Sequence, residues 1–178
     1  MGNEEFLQET LSAMDLVYNI ARRAVPRRED AEDLVQETYL AAFRAWQGHR
    51  RPRKVEPWLA TICLNLARSS YRHRARRPHE VPWDQMAAFE AESDPESDAI
   101  TTLERERVHR GLWQISEEQR LAITLVDLAG FSTRDAARIL RVPRGTILSR
   151  LHRGRKALAT LLAEEVGDPE RLEEESGP

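Results

Sequence analysis

GFSTRDAARILRVPRGTILSRLHRGRKAL, Gly130 to Leu158, is the stretch whose reading decides the fold. It reads as two short helices joined by a tight turn. Ser132 precedes the first helix and Asp135 holds its third position, a capping-box spacing that satisfies free amides at a helix start. Ala136, Ile139 and Leu140 form its apolar stripe. Arg141-Val142-Pro143 ends it, because proline lacks an amide donor and restricts the residue before it. Pro143 also suits the start of a second helix. There Ile147, Leu151, Gly154 and Leu158 recur at helical spacing and face inward, which leaves Thr146, Ser149, His152, Arg153 and Lys156 opposite. From Arg141 to Lys156 the chain carries Arg141, Arg144, Arg150, Arg153, Arg155 and Lys156 with no acid. A helix propped on another, with a basic and hydrogen-bonding outer face, is what major-groove reading requires. Ser149 and His152 suit base edges, and Arg153 suits a base or a phosphate. Arg144, Arg150 and Lys156 suit phosphates, as does Thr146 beside the free amides of the helix start.

The net charge of −3 over 178 residues hides strong segregation. Arg50, Arg51, Arg53, Lys54, Arg68, Arg72, Arg74, Arg76 and Arg77 face the single acid Glu56 between positions 49 and 77. Residues 90–98 are acidic without a base, and residues 164–175 are acidic with one arginine. Two basic zones with an acidic spacer and tail suggest two contacts with a polyanion. The lone Cys63 excludes an intramolecular disulfide and a cysteine-based zinc cluster, and the five histidines lack ligand spacing. No cofactor or metal is expected. No apolar run approaches the ~20 residues of a membrane span. The acidic start MGNEEFLQET lacks a signal-peptide core, so a cytoplasmic protein is expected.

Helical periodicity runs throughout. A first helix is expected from about Glu4 to Ala24, with Leu7, Leu11, Met14, Val17, Tyr18 and Ala21 on one face. A second carries Ala31, Leu34, Val35, Thr38, Tyr39, Ala42, Phe43 and Trp46 at three- and four-residue steps. Glu29, Asp30, Glu32 and Asp33 suit the dipole at its start, and Gly48 ends it. Its outer residues Glu32, Asp33, Gln36, Glu37 and Leu40 suit either a docking surface or a solvated face. A third helix begins near Glu56-Pro57, with Trp58, Leu59, Ile62, Cys63, Leu66, Ala67, Ser70 and Tyr71 inside. Asn65, Arg68, Ser69, Arg72 and Arg76 lie outside, and with the loop before them suit single-stranded or distorted nucleic acid. These helices form one bundle at residues 1–77. Residues 78–98 read as a linker in which Trp83, Met86 and Phe89 are stranded apolar residues. A second bundle covers residues 99–165. Its first helix carries Ile100, Leu103, Val108 and Leu112, and its next is capped by Ser116 and cored by Leu121, Ile123, Leu125, Val126 and Leu128. The tail, 166–178, is acidic and almost without apolar residues.

Together the segments DAEDLVQETYLAAFRAW (Asp30–Trp46), PWLATICLNLARSSYRHRARRP (Pro57–Pro78) and STRDAARILRVPRGTILSRLHRGRKAL (Ser132–Leu158) resemble a bacterial RNA polymerase sigma factor of the extracytoplasmic-function (ECF) type. The resemblance implies an all-α fold: a region 2-like bundle and a region 4-like helix-turn-helix bundle joined by a flexible acidic linker. It implies a non-enzymatic transcription initiation factor that confers promoter specificity. Asp33, Gln36, Glu37 and Leu40 then dock on the clamp helices of the largest polymerase subunit, and the second domain lies toward the flap. Arg50, Arg51, Arg53, Lys54, Asn65, Arg68, Ser69 and Arg72 then serve the −10 element, its melting and the capture of a flipped base. Ser149, His152 and Arg153 read the −35 element, with Arg144, Thr146, Arg150 and Lys156 beside them. An anti-sigma factor is an implied partner, and any membrane contact runs through it. Two positions depart from the family pattern. Ser69 stands where members often carry an acid, and Leu148 where they often carry a basic or polar residue.

Two other readings fit parts of the chain. A stand-alone dimeric helix-turn-helix regulator needs two recognition helices one DNA turn apart. A helical adaptor binding only protein needs only the outer face of the second helix. An enzyme finds no glycine-rich phosphate loop and no nucleophile–base spacing.

Overall fold

The computed structural model describes residues 2–48, 51–75 and 99–167, with side chains over 3–48, 51–69 and 103–164. Arg50, the side chains of Tyr71 and Arg72, the acidic linker with Trp83, Met86 and Phe89, and the tail lie outside these residues. The described chain is helical without strands: α1 (Gly2–Thr10), α2 (Met14–Ala24), α3 (Arg28–Gln47), α4 (Val55–Ala75), α5 (Ala99–Gln114), α6 (Glu117–Ile123), α7 (Thr133–Leu140) and α8 (Arg144–Gly167).

The first domain packs α2, α3 and α4 around one core, with α1 across its end. From α3, Ala31, Leu34, Thr38, Ala42 and Trp46 are buried, as the spacing predicts, and Val35, Tyr39 and Phe43 are half-buried beside them. Thr38 tolerates burial because its hydroxyl donates to the Leu34 carbonyl at 2.6 Å. The N-terminal helix differs from expectation. A 3₁₀ turn at Leu11–Ala13 divides it. The buried face is Phe6, Thr10, Ala13, Val17, Ile20 and Ala21, which recur at three- and four-residue steps beside the expected stripe, while Leu7, Leu11 and Met14 are exposed. Phe6 anchors that face edge-on against Phe43 and Trp46, centroids 5.3 and 5.7 Å away. Thr10 donates to the Phe6 carbonyl at 2.7 Å, and the Tyr39 hydroxyl donates to the Thr10 carbonyl at 3.0 Å. In α4 the buried residues are Leu59, Ala60, Cys63, Leu64 and Ala67, while Trp58, Ile62 and Leu66 are half-buried. Ala60 and Leu64 were not expected inside; they are buried because α4 packs on more than one neighbour. Burial pushes the Cys63 thiol up to about 12, with its side-chain contact to the Thr38 hydroxyl acting the other way.

The second domain is built on α8, which packs against α5, α6 and α7. Ser116 and Ser132 accept the amides of Gln119 and Asp135 at 3.4 and 3.0 Å, so both expected caps form. After α6 the chain widens into a π-turn over Thr124–Leu128, where the Ala129 amide reaches the Thr124 carbonyl at 2.8 Å. This extra residue turns Leu128 out to solvent, although its spacing places it in the core. Gly130 then adopts φ 72° and turns the chain into α7. Gly154 faces inward as expected, because a Cβ there would stand 3.0 Å from Gln119 and Ile123 of α6.

Helix α7 ends in a Schellman motif. Val142 N–H reaches the Ala137 carbonyl at 3.0 Å, and Arg141 N–H reaches Arg138 at 3.3 Å. The left-handed position of this motif, φ 56°, is held by Arg141 where glycine is usual. Left-handed backbone costs a side-chain-bearing residue roughly 1–2 kcal/mol, offset in part by the extra freedom of glycine in the unfolded chain. Arg141→Gly is expected to raise stability by about 1 kcal/mol, read as a higher urea midpoint at an unchanged slope.

His109 on α5 lies edge-on to Trp113, centroids 6.5 Å apart. Burial, then Arg23, Arg22 and Arg120, push its imidazole down to about 4. Its unfolded counterpart takes up a proton near pH 6.5, where the folded one does not. The stability this group contributes is therefore complete above about pH 6.5 and declines as pH falls toward 4. Urea midpoints measured across that window should fall with pH, and His109→Gln should flatten the slope.

Candidate polymerase and nucleic-acid interfaces

One stripe of α3 stays uncovered. Asp33, Gln36, Glu37 and Leu40, spaced by three, one and three residues, are all exposed, opposite the buried Leu34–Thr38–Ala42 stripe. Leu40 is 56% exposed. A large apolar side chain standing out beside carboxylates has the composition of a protein-docking patch.

The basic loop before α4 is arranged by its neighbours. Arg51 forms a bidentate pair with Glu5 of α1, and its guanidinium lies 5.1 Å from the centre of the Trp46 ring. Lys54 approaches Asp135 of α7, Nζ to Oδ2 3.7 Å, and Arg53 is exposed beside it. Asn65 and Arg68 are half-buried on α4 and Ser69 is exposed. The loop cations and Ser69 are thus accessible, whereas Trp58 is half-buried, its ring tilted against Trp46 at 6.1 Å.

In the second domain the basic run divides by partner. Arg150 is only 13% exposed and pairs with Glu118 at 2.8 Å. Arg155 grips Asp127 of the π-turn through two bonds of 2.9 and 2.6 Å. Arg144 donates from Nε to the Thr133 hydroxyl at 3.0 Å and ties the start of α8 to the start of α7. Ser149, His152, Arg153 and Lys156 form the exposed polar face, with Thr146 half-buried at its start. Ser149 donates to the Thr146 carbonyl at 3.0 Å, and Arg153 Nε lies 3.4 Å from the Ser149 carbonyl. Leu148 is 48% exposed at the edge of this face and offers an apolar contact such as a thymine methyl accepts.

A notch of about 250 Å³ lies between Ser132, Thr133, Arg134 and Arg144. Sequence reasoning gave Thr133 and Arg134 no role. Their signal was their place at the amide-bearing start of α7, which with Arg134 and Arg144 suits a phosphate. Beside the pair with Lys54, the Ser132 hydroxyl donates to Asp135 at 2.9 Å and Arg138 lies 3.3 Å away. These contacts, the hydroxyl first, hold the Asp135 carboxyl below its usual range. Among the described residues no cluster of histidine, cysteine and carboxylate side chains could hold a metal ion, and no helix is long and apolar enough to cross a membrane.

Two helical domains, one with an uncovered acidic and apolar stripe and one with a basic helix-turn-helix, define a transcription factor of the sigma-70 class. Residues 11–77 match Sigma-70 region 2, and residues 105–158 match Sigma-70, region 4. The chain is 33% identical over 153 residues to the ECF RNA polymerase sigma-E factor of Escherichia coli K12, covering 80% of this chain and 78% of that protein. It is 35% identical over 150 residues to the ECF RNA polymerase sigma factor SigE of Mycolicibacterium smegmatis, covering 84% of this chain and 58% of SigE. The sigma factor RpoE of Bartonella quintana, solved in complex with the anti-sigma factor NepR, superposes with a TM-score of 0.76 at 29% identity, over 90% of this chain and 98% of that one. CnrH, solved in complex with the cytosolic domain of CnrY, gives 0.65 at 25% identity, over 91% and 90%. The chain belongs to the ECF sigma factors, which are non-enzymatic transcription initiation factors.

The partners of Arg150 and Arg153 separate structure from recognition. Arg150→Ala removes a largely buried side chain that packs α8 on α6, while Glu118, 68% exposed, stays hydrated, so it should lower stability by about 1–2 kcal/mol through lost packing. Arg153→Ala should leave the unfolding free energy within about 0.5 kcal/mol and weaken duplex binding instead. Paired denaturation and fluorescence-anisotropy titrations on both variants check this division.

Proposed function

We propose that this protein directs RNA polymerase to promoters by holding two DNA elements at once, and that it acts in the cytoplasm without a cofactor. The observation that carries the reading is the pairing of two exposed surfaces of opposite character. One is the Asp33–Leu40 stripe on α3; the other is the Ser149–Lys156 face on α8. In this reading Asp33, Gln36, Glu37 and Leu40 dock on the clamp helices of the largest polymerase subunit. The carboxylates steer the encounter and Leu40 buries on contact. The second domain rests near the flap.

The loop Gln47–Glu56 with Asn65, Arg68, Ser69 and Arg72 then takes the strand that opens at the −10 element. Guanidinium groups hold its phosphates, and the amide and hydroxyl groups offer hydrogen bonds to an unstacked base. Ser149, His152 and Arg153 read the −35 element as duplex. Lys156, Arg144 and Thr146 hold phosphates, while Arg150 keeps α8 fixed on α6. We place the domain boundaries at 77 and 99. The likeness to RpoE of Bartonella quintana, solved with the anti-sigma factor NepR, supports a partner of that kind for this chain as well. Two weak DNA contacts on one chain gain from effective concentration once polymerase fixes their spacing.

Transcription in vitro with core polymerase on genomic fragments, followed by start-site mapping, tests the reading. The protein should create start sites absent with core alone. Asp33→Lys with Leu40→Ala should lower that output tenfold or more while leaving the fold intact. No new start sites with folded protein and active core would overturn it.

A further inference from the structure

Helix α1 has no part in the match to Sigma-70 region 2, which begins at residue 11. It nevertheless reaches the loop that the function proposed above assigns to the −10 element. Phe6 is its seat: 4% exposed, it packs edge-on against Phe43 and Trp46. The residue before it on the helix is turned about 100° away. That rotation carries Glu5 from the core to its margin, where Arg51 of the loop meets it.

Three constraints converge on Arg51. Pro52 follows it, and the residue before a proline is confined to extended backbone. Its guanidinium donates to both carboxylate oxygens of Glu5, with Nη2 2.7 Å from Oε2. The same group stands over the Trp46 ring, 5.1 Å from its centre. An arginine offers a rigid fork of donors and a flat cationic face, so the carboxylate and the indole hold it by two different features at once. Residues 48–54 join α3 to α4, so Arg51 ties the middle of the loop to a helix that is not part of it.

A phosphate contact asks something different of an arginine. The fork must be free to turn to the strand, and here a carboxylate takes it. A phosphate brought to Arg51 would stand beside Glu5, whose charge repels it. The Arg51 hydrogen bonds, first among the causes, hold the Glu5 carboxyl below its usual range, so the pair stays ionised at neutral pH. Arg53 is exposed in the same loop, and the Lys54 side chain is 69% exposed.

We propose that α1 braces the −10 loop. Glu5 is a positioning residue that holds Arg51 against Trp46, and Arg51 anchors the loop while Arg53 and Lys54 take the phosphates of the opened strand. That strand comes from the function proposed above; the brace stands on geometry alone.

The side chains of Arg51 and Glu5 are 54% and 44% exposed, so exchange at either leaves the core intact. Urea unfolding of Glu5→Gln, Arg51→Gln and the double variant reads the pair directly. Its coupling should be about threefold in the unfolding constant. The DNA readout is the anisotropy of a labelled mixed-sequence single strand, titrated with the full chain from about 20 to about 100 mM salt. Arg51→Gln should weaken binding about fivefold at an unchanged salt slope, because the loop loosens and no phosphate contact is lost. A lost phosphate contact would lower the slope by about 0.7. Arg51→Glu should weaken binding further. Adding Glu5→Arg to it should restore affinity to within about threefold of the unaltered chain, since a brace works in either polarity and a phosphate contact does not. A slope lowered by that amount, a reversed pair no tighter than Arg51→Glu alone, additive unfolding energies, or no binding of the strand by the folded chain overturns the proposal. Start sites absent from the transcription assay, with coupling and slopes as expected, remove the sigma reading and leave the brace standing.

Discussion

Everything in this molecule turns on α4 being packed from more than one side. Leu59, Ala60, Cys63, Leu64 and Ala67 are buried along it, α2 and α3 cover it, and α7 of the other domain lies against it as well. A helix covered on one face can shift or fray at modest cost, but one gripped by several neighbours cannot. The small residues Ala60, Cys63 and Ala67 allow the neighbours close. The same helix therefore fixes the core of the first domain, the position of the basic loop before it and the approach of the second domain.

Much of this was legible in the chain because local chemistry and global packing agree. The caps at Ser116 and Ser132, the stripe of α3 and the inward Gly154 follow from spacing alone. The exposed stripe Asp33–Leu40 and the α8 face were legible for the same reason, since an outer face is what an inner stripe leaves over. The errors have two sources. In the first helices two adjacent stripes share helical spacing, and the one richer in leucine and methionine is exposed while Phe6, Thr10, Ala13 and Val17 are buried. In the second domain the π-turn hides the exposure of Leu128, and it has no residue signature strong enough to outweigh the leucines around it.

The contact between the domains was not legible. Nothing in the local spacing marks Arg120, and its partner is a backbone carbonyl 97 residues away. Backbone carbonyls carry no sequence signal. The basic run from Arg141 to Lys156 is divided by contacts of a related kind. Of its six cations, Arg150 and Arg155 are engaged by Glu118 and Asp127, and Arg144 by Thr133. Only the fold separates cations that brace the reading helix from those on its open face.

The π-turn at Thr124–Leu128 sets the rotational phase between α6 and everything after it. One residue of α-helix corresponds to about 100° of rotation. A chain one residue shorter here would close as a regular α-helix and carry Asp127 away from Arg155. The reading helix would then swing about the axis of α6. Length in this segment is therefore a steering variable: two proteins with identical recognition residues but differing by one residue at this turn would present them to the groove at different angles.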